Sequence, residues 1–151
     1  DNIIPGSRYI IVDTGSNMIV SRVTKEKGEG KKIMAKTAGG DTMSGRERHD
    51  MKITFTNGRF IQLPEVMETC HKGEDIVSAH TLCEAGYNVR LNKEGGEIID
   101  RKGRRMAIVD VIEGIYKVKG TIEPMIGSKC NQVEGMNEKG KRRKRNTGGE
   151  R

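Results

Sequence analysis

Tryptophan is missing from this chain of 151 residues, and aromatic residues make up only 3% of it. With 33% hydrophobic residues the core must be thin, which predicts either apolar surface shared with a partner or a portion that does not fold. No apolar run is long enough to span a bilayer, and none has the pattern of a signal peptide, so no membrane partner is predicted. Cysteine is scarce and odd in number: Cys70, Cys83 and Cys130 suggest no disulfide framework. Reduced thiols and an intracellular setting are expected. An initiating Met is also lacking, and a chain beginning at Asp1 reads as cut from something longer.

What the chain has is glycine and unevenly placed charge. Its 20 glycines suit a turn-rich β protein better than a helix bundle, because glycine weakens helix interiors and supplies positive φ in tight turns. Seven basic residues between Asn137 and Arg151 stand against two acidic ones. That tail carries +5 of the net +7, leaving the body near neutral at +2. Its cluster Lys141, Arg142, Arg143, Lys144 and Arg145 predicts a nucleic-acid contact or a nuclear-import signal, with a solvated linker as the plainer alternative.

Along the body, short β segments alternate with turns. Strands are expected at 8–13, 18–23, 31–37, 51–56, 59–63, 87–91, 97–99, 106–112 and 115–118. Asn57-Gly58 reads as a two-residue type I′ turn, which would set Phe55 opposite Phe60. From Asp75 to Gly86 apolar residues at 76, 79, 82 and 83 keep helical spacing, with Asp75 as N-cap, Gly86 closing the helix and Cys83 facing the core. The fold class is therefore all-β, mainly strand with one short helix, in a closed or barrel-like arrangement. The domain is drawn at residues 1–120, with 121–151 as a basic, disordered tail or linker.

The chemistry concentrates in "YIIVDTGS", residues 9–16. A β-branched strand ends in one carboxylate, Asp13. Thr14 offers a hydroxyl to brace the turn, and Gly15 lets backbone or substrate come close. Asp-Thr-Gly is also good turn chemistry at a strand end. If the acid is catalytic, it needs a second. Two carboxylates on one water divide the work: the ionised one takes the water's proton, and the protonated one donates to the substrate carbonyl. Cys70, His71, His80 and Cys83 have zinc-capable side chains, but their spacing is not that of a familiar structural zinc site, and no metal or other cofactor is predicted.

Ile11-Val12-Asp13-Thr14-Gly15-Ser16 resembles the active-site motif of aspartic proteases. The remainder resembles the protease of copia-type LTR retrotransposons, within the retropepsin-like group. A glycine-bearing hairpin region, Lys36-Thr37-Ala38-Gly39-Gly40-Asp41, stands where that group has its flap. "IQLPEV" and then "DIVSAHTLCEAGYNVRLNKEGGEIIDRKGR" resemble a run in copia-like polyproteins, with Ile76-Val77-Ser78 where other retropepsins have an apolar pair and Gly. The likeness covers about 7–118. Two departures stand out: copia-type elements more often carry Asp-Ser-Gly-Ala, and no His-His-Cys-Cys zinc module follows.

The resemblance implies a retropepsin-like acid-protease barrel and an aspartic endopeptidase that cleaves a Gag-Pol polyprotein without a cofactor. Asp13, Thr14 and Gly15 would be its catalytic motif, and Ala38, Gly39 and Gly40 its substrate-covering flap. No second Asp-Thr/Ser-Gly occurs in the chain, so the resemblance also implies a homodimer with one Asp13 from each protomer at the axis. Ile115 to Val118 would join a sheet across that dimer, Ser16 would donate to Asp13, and Met34, Ala35, Met43 and Ile76 would line substrate pockets. The implied location is a cytoplasmic virus-like particle, or the nucleus if the tail directs import. The competing expectation is a domesticated, inactive fold that binds nucleic acid or protein through its tail.

Overall fold

The computed structural model of the chain describes residues 7–37 and 39–125. They form a mainly β structure with one short helix. Twelve strands join one sheet, whose central path runs β3-β4-β7-β2-β8-β1-β12-β11-β10-β9, with β5 and β6 branching from β12. The expected closed barrel is not formed among these residues. The path ends at β3 and β9, which pair on one side only.

At the centre lies β1, Arg8–Asp13. Ile10 and Val12 are buried, while Tyr9, Ile11 and Asp13 are half-buried, as a strand with one face on the core requires. β8, Ile76–Ser78, runs parallel to it, matching Ile11 with Ile76, Val12 with Val77 and Asp13 with Ser78. On the other side β12, Ile115–Pro124, runs antiparallel. The main core collects Ile10, Val12, Phe55, Val77, Leu82 and Val118, among others, and α1 (Ala79–Glu84) contributes to it through Ala79 and Leu82. A smaller cluster of Val20, Met43 and Met67 lies under a hairpin of β3 (Lys32–Lys36) and β4 (Thr42–Arg48).

Several expectations change. The helix begins at Ala79, not after Asp75, because Ile76 and Val77 are taken by pairing with β1, and Ser78 is the N-cap. Starting there turns Cys83 outward, so it is an exposed free thiol. Gly86, at φ +103°, does follow the helix end. The Asn57-Gly58 hairpin between β5 (Met51–Phe55) and β6 (Phe60–Gln62) is closed by Phe55 and Arg59, which leaves a three-residue loop at 56–58. Only Gly58 of the pair has positive φ (+86°), and Phe55 N–H donates to the Arg59 carbonyl at 2.8 Å. Phe60 therefore lies opposite Thr54. One residue of register puts the two rings on opposite faces, with Phe55 at 1% exposure and Phe60 at 40%. The turn with positive φ at both central residues is Glu113-Gly114, between paired Ile112 and Ile115.

Ile115 to Val118 is paired inside the chain, to β1 and to β11 (Arg105–Ile112), rather than left for a partner's sheet. β12 also runs past the boundary drawn at residue 120. Gly120 through Pro124 pair with β5, and Met125 N–H donates to the Asp50 carbonyl at 2.8 Å. The basic tail, including Lys141 to Arg145, lies outside the described residues, as do Cys130 and Ala38.

The register has a direct consequence for stability. Phe55→Ala should cost about 3–5 kcal/mol in urea unfolding, as for a buried aromatic. Phe60→Ala should cost less than about 1 kcal/mol. Similar losses for the two would disprove this register.

Candidate active site

Asp13 ends β1 half-buried, held on one flank by its pairing with Ser78. Its Oδ1 accepts the Gly15 N–H at 2.8 Å, a local turn that orients the carboxylate. Thr14 and Gly15 are exposed. Ser16 does not donate to Asp13 as expected. Its hydroxyl instead bridges to Met18, donating to the carbonyl at 3.2 Å and accepting from the N–H at 3.0 Å.

The loop after Asp13 is clamped to the start of α1. The fully buried Ser78 hydroxyl donates to the Ser16 carbonyl at 2.6 Å and accepts the Thr81 N–H at 3.0 Å. Thr81 Oγ1 donates to the Asn17 carbonyl at 3.4 Å. One small side chain thus caps the helix and pins the acid-bearing loop. Ser78 was legible as the residue after an apolar pair. Its role was not, because the helical spacing runs back through Ile76 and favours Asp75 as the cap.

Asp75 has a different task. It is 1% exposed, and its carboxylate accepts Arg8 Nη2 at 2.8 Å and the Arg22 N–H at 2.7 Å. Its own carbonyl accepts the Ile11 N–H at 2.9 Å. The Arg22 side chain spans to the Glu74 carbonyl at 2.8 Å and the His71 carbonyl at 3.2 Å. Burial pulls its guanidinium below the usual arginine range, and the Asp75 carboxylate partly offsets this.

The predicted flap is a regular hairpin. Lys36 pairs with Thr42, and Thr37 N–H donates to the Asp41 carbonyl at 2.8 Å. At the tip, Gly40 has φ +92° and nothing within 4 Å of where a Cβ would stand, and Gly39 is exposed. Ile33 and Ala35 turn inward onto the small cluster with Met43, beside Met18 and Ile76. Ala35, Met43 and Ile76 therefore do share one apolar patch, which reaches the strands flanking the Asp13 loop. Met34 lies on the other face of the hairpin, opposite Ser44, at 64% exposure, and does not join them.

Among the described residues no three His, Cys, Asp or Glu side chains form a group able to hold a metal ion, and no helix is long and apolar enough to cross a membrane. Comparisons with protein-family models, curated proteins and solved structures find no match for the chain.

Losing the clamp should show in stability. Ser78→Ala removes an N-cap and leaves the Ser16 carbonyl short of a donor, at a cost of about 1–3 kcal/mol. Thr81→Ala, which removes only one long bond, should cost less than half of that. Denaturant unfolding of both variants checks the order, and a reversed order would dismiss Ser78 as the clamp.

Proposed function

We propose that the chain is an aspartic endopeptidase of the copia-type, retropepsin-like group, acting as a homodimer on a polyprotein substrate of the Gag-Pol kind. The observation that carries this reading is the contrast within residues 13–17. Pairing to β8 and bonds to α1 fix the backbone of this loop, yet the Thr14 side chain and the lack of one at Gly15 serve no need of the protomer. Thr14 is exposed, with no hydrogen bond among the described residues. A Cβ on Gly15 would meet only Asp13 Oδ1, at an ordinary 3.6 Å, so the chain's own packing does not demand glycine. A rigid loop that presents an acid, a hydroxyl and a bare backbone outward is suited to a partner and a substrate.

In the dimer, the two Asp13 carboxylates face each other across the axis. At about 3 Å they cannot both ionise, and one proton is shared. The ionised carboxylate removes a proton from the water between them as its oxygen attacks the scissile carbonyl. The protonated carboxylate donates to the carbonyl oxygen, giving a neutral gem-diol. Collapse breaks the C–N bond as the amine nitrogen takes the proton of the protonated carboxylate, while one gem-diol hydroxyl gives its proton to the ionised carboxylate and becomes the new carbonyl oxygen. Products are a carboxyl group and an amine, and the dyad returns to its single shared proton.

The hairpin of β3 and β4 serves as the flap. Gly39 and Gly40 allow close approach to a substrate backbone, and closure excludes water. The inward Ile33 and Ala35, with Met18 and Ile76, give it an apolar underside suited to aliphatic substrate side chains.

The test is a comparison of wild type with Asp13→Asn on a peptide library at acidic pH. The variant should lose about 10²–10⁴-fold in kcat, and sedimentation at micromolar concentration should show a dimer. Equal cleavage by both proteins, or a strict monomer that still cleaves, would end this reading.

A further inference from the structure

Away from Asp13, a surface cavity of about 570 Å³ opens between the Thr56–Phe60 hairpin, the end of α1 and the turn at 100–104. Its size falls within the roughly 300–1,000 Å³ of sites that hold organic ligands. Four cations line it, Arg59, Arg101, Lys102 and Arg104, against one carboxylate, Asp100. In a body whose net charge is only +2 outside the tail, this is a concentration of positive charge.

The cations are presented by built geometry. Asp100 Oδ1 accepts the N–H groups of Lys102 and Arg104 at 2.9 Å each, and its Oδ2 accepts Arg104 Nε at 2.7 Å. That fixes the turn and absorbs the one acid. Arg101 lies over the end of α1, donating to the Ala85 carbonyl at 3.4 Å. It can do so because residue 86 is glycine: a Cβ there would stand 2.1 Å from Arg101 Nε. Among the described residues the side chains of Arg59 and Lys102 have no acidic partner. Beside them Phe60 exposes 40% of its surface in the cavity wall, and Lys52 Nζ stands 4.8 Å from its ring centroid.

We propose that this cleft binds single-stranded nucleic acid, with phosphates on Arg59, Arg101 and Lys102 and a base against Phe60. Unpaired cations supply sequence-independent attraction, and Phe60, 40% exposed with Lys52 over one face of its ring, supplies stacking that every base can use. A concave site with an aromatic wall favours unstacked bases over a duplex, whose rings are already stacked. The proposal stands apart from the protease reading.

The experiment titrates the full chain into fluorescein-labelled octauridylate at several salt concentrations and reads anisotropy. Every protein carries Lys141 to Arg145 replaced by Gln, so that only the body's binding is measured. This parent should bind. Arg59→Ala with Lys102→Ala should weaken binding at least tenfold and lower the salt slope by about 1.4, at about 0.7 for each phosphate no longer neutralised. Phe60→Ala should weaken it roughly tenfold at an unchanged salt slope, as removal of stacking does. Asp13→Asn should bind like the parent, so failure of the protease reading leaves this result intact. No binding by the parent, or unchanged binding by the Arg59/Lys102 or the Phe60 variant, would overturn the proposal. So would displacement of octauridylate by poly-glutamate at equal concentration, which would assign the cleft to an acidic polypeptide.

Discussion

The carboxylate of Asp75 is the interaction on which the arrangement around Asp13 depends. A buried charge must be paired and hydrogen-bonded or it costs several kcal/mol. Here the carboxylate has two partners, the Arg8 side chain at the start of β1 and the Arg22 N–H at the end of β2 (Val20–Arg22), while the backbone carbonyl of Asp75 separately accepts the Ile11 N–H. Satisfying that one residue brings the start of β8 between β1 and β2. The parallel register that sets Asp13 beside Ser78 follows from it, and so does the place where Ser78 can cap α1 and hold the Ser16 carbonyl. A slip of one residue in β8 would turn Val77 to the wrong face and leave the carboxylate without the Arg22 N–H.

A second buried acid does for the hairpin what Asp75 does for the loop. Glu68, 3% exposed on β7 (Val66–Thr69), accepts the N–H groups of Lys27 and Gly28 and pairs with Arg48 at 3.0 Å. Arg48 is held above the usual arginine range by its bond to Asp50, with Glu68 adding to this against the effect of burial. Close packing reinforces the site. A Cβ at Gly30 would lie 2.7 Å from the Glu47 carbonyl oxygen, and one at Gly45 would lie 2.5 Å from that of Glu68. The root of the hairpin is thus braced, while at its tip a Cβ on Gly40 would meet nothing within 4 Å and one on Gly39 only Thr37 Oγ1 at 3.9 Å. A stiff root with an open tip confines any movement to the tip.

The sequence spoke most clearly where one signal acted alone. β1 and β5 were legible because β-branched and apolar residues mark them and turn residues bound them. Competition between signals hid the rest. In 75–86 a strand and a helix share one apolar pattern, and period alone cannot divide them. At Asn57-Gly58 the dipeptide is a strong hairpin signal, but loop length decides which face each Phe occupies, and no local residue states that length. β4 and β7 were missed for a tertiary reason. Thr42–Arg48 and Val66–Thr69 carry Arg46, Arg48 and Glu68, which look like solvent-facing charge until the buried Arg48–Glu68 pair is seen. The Asp13 motif was readable as an acid at the end of a strand before a Thr-Gly turn. Its supports, Ser78 and Asp75, were not, because they lie 62 or more residues away in the chain.

The helix α1 joins the two candidate sites. At its start, Ser78 holds the loop that bears Asp13, and at its end, the Ala85 carbonyl and Gly86 hold Arg101. Six residues span about 9 Å, so the acid loop and the basic cleft are about one short helix apart. The polarity is consistent with helix electrostatics, since backbone N–H groups gather at the start and carbonyls at the end, where a guanidinium is favoured. Leu82, 1% exposed, anchors the helix between them in the core. Each end is thereby fixed by its own contacts to a common rigid element. A cation removed at Arg59 or Lys102 has no bond through which to disturb Asp13, and a neutral residue at Asp13 has none through which to disturb the cleft. The fold therefore sets the acid-bearing loop and the patch of cations at opposite ends of one short helix, each held by its own bonds.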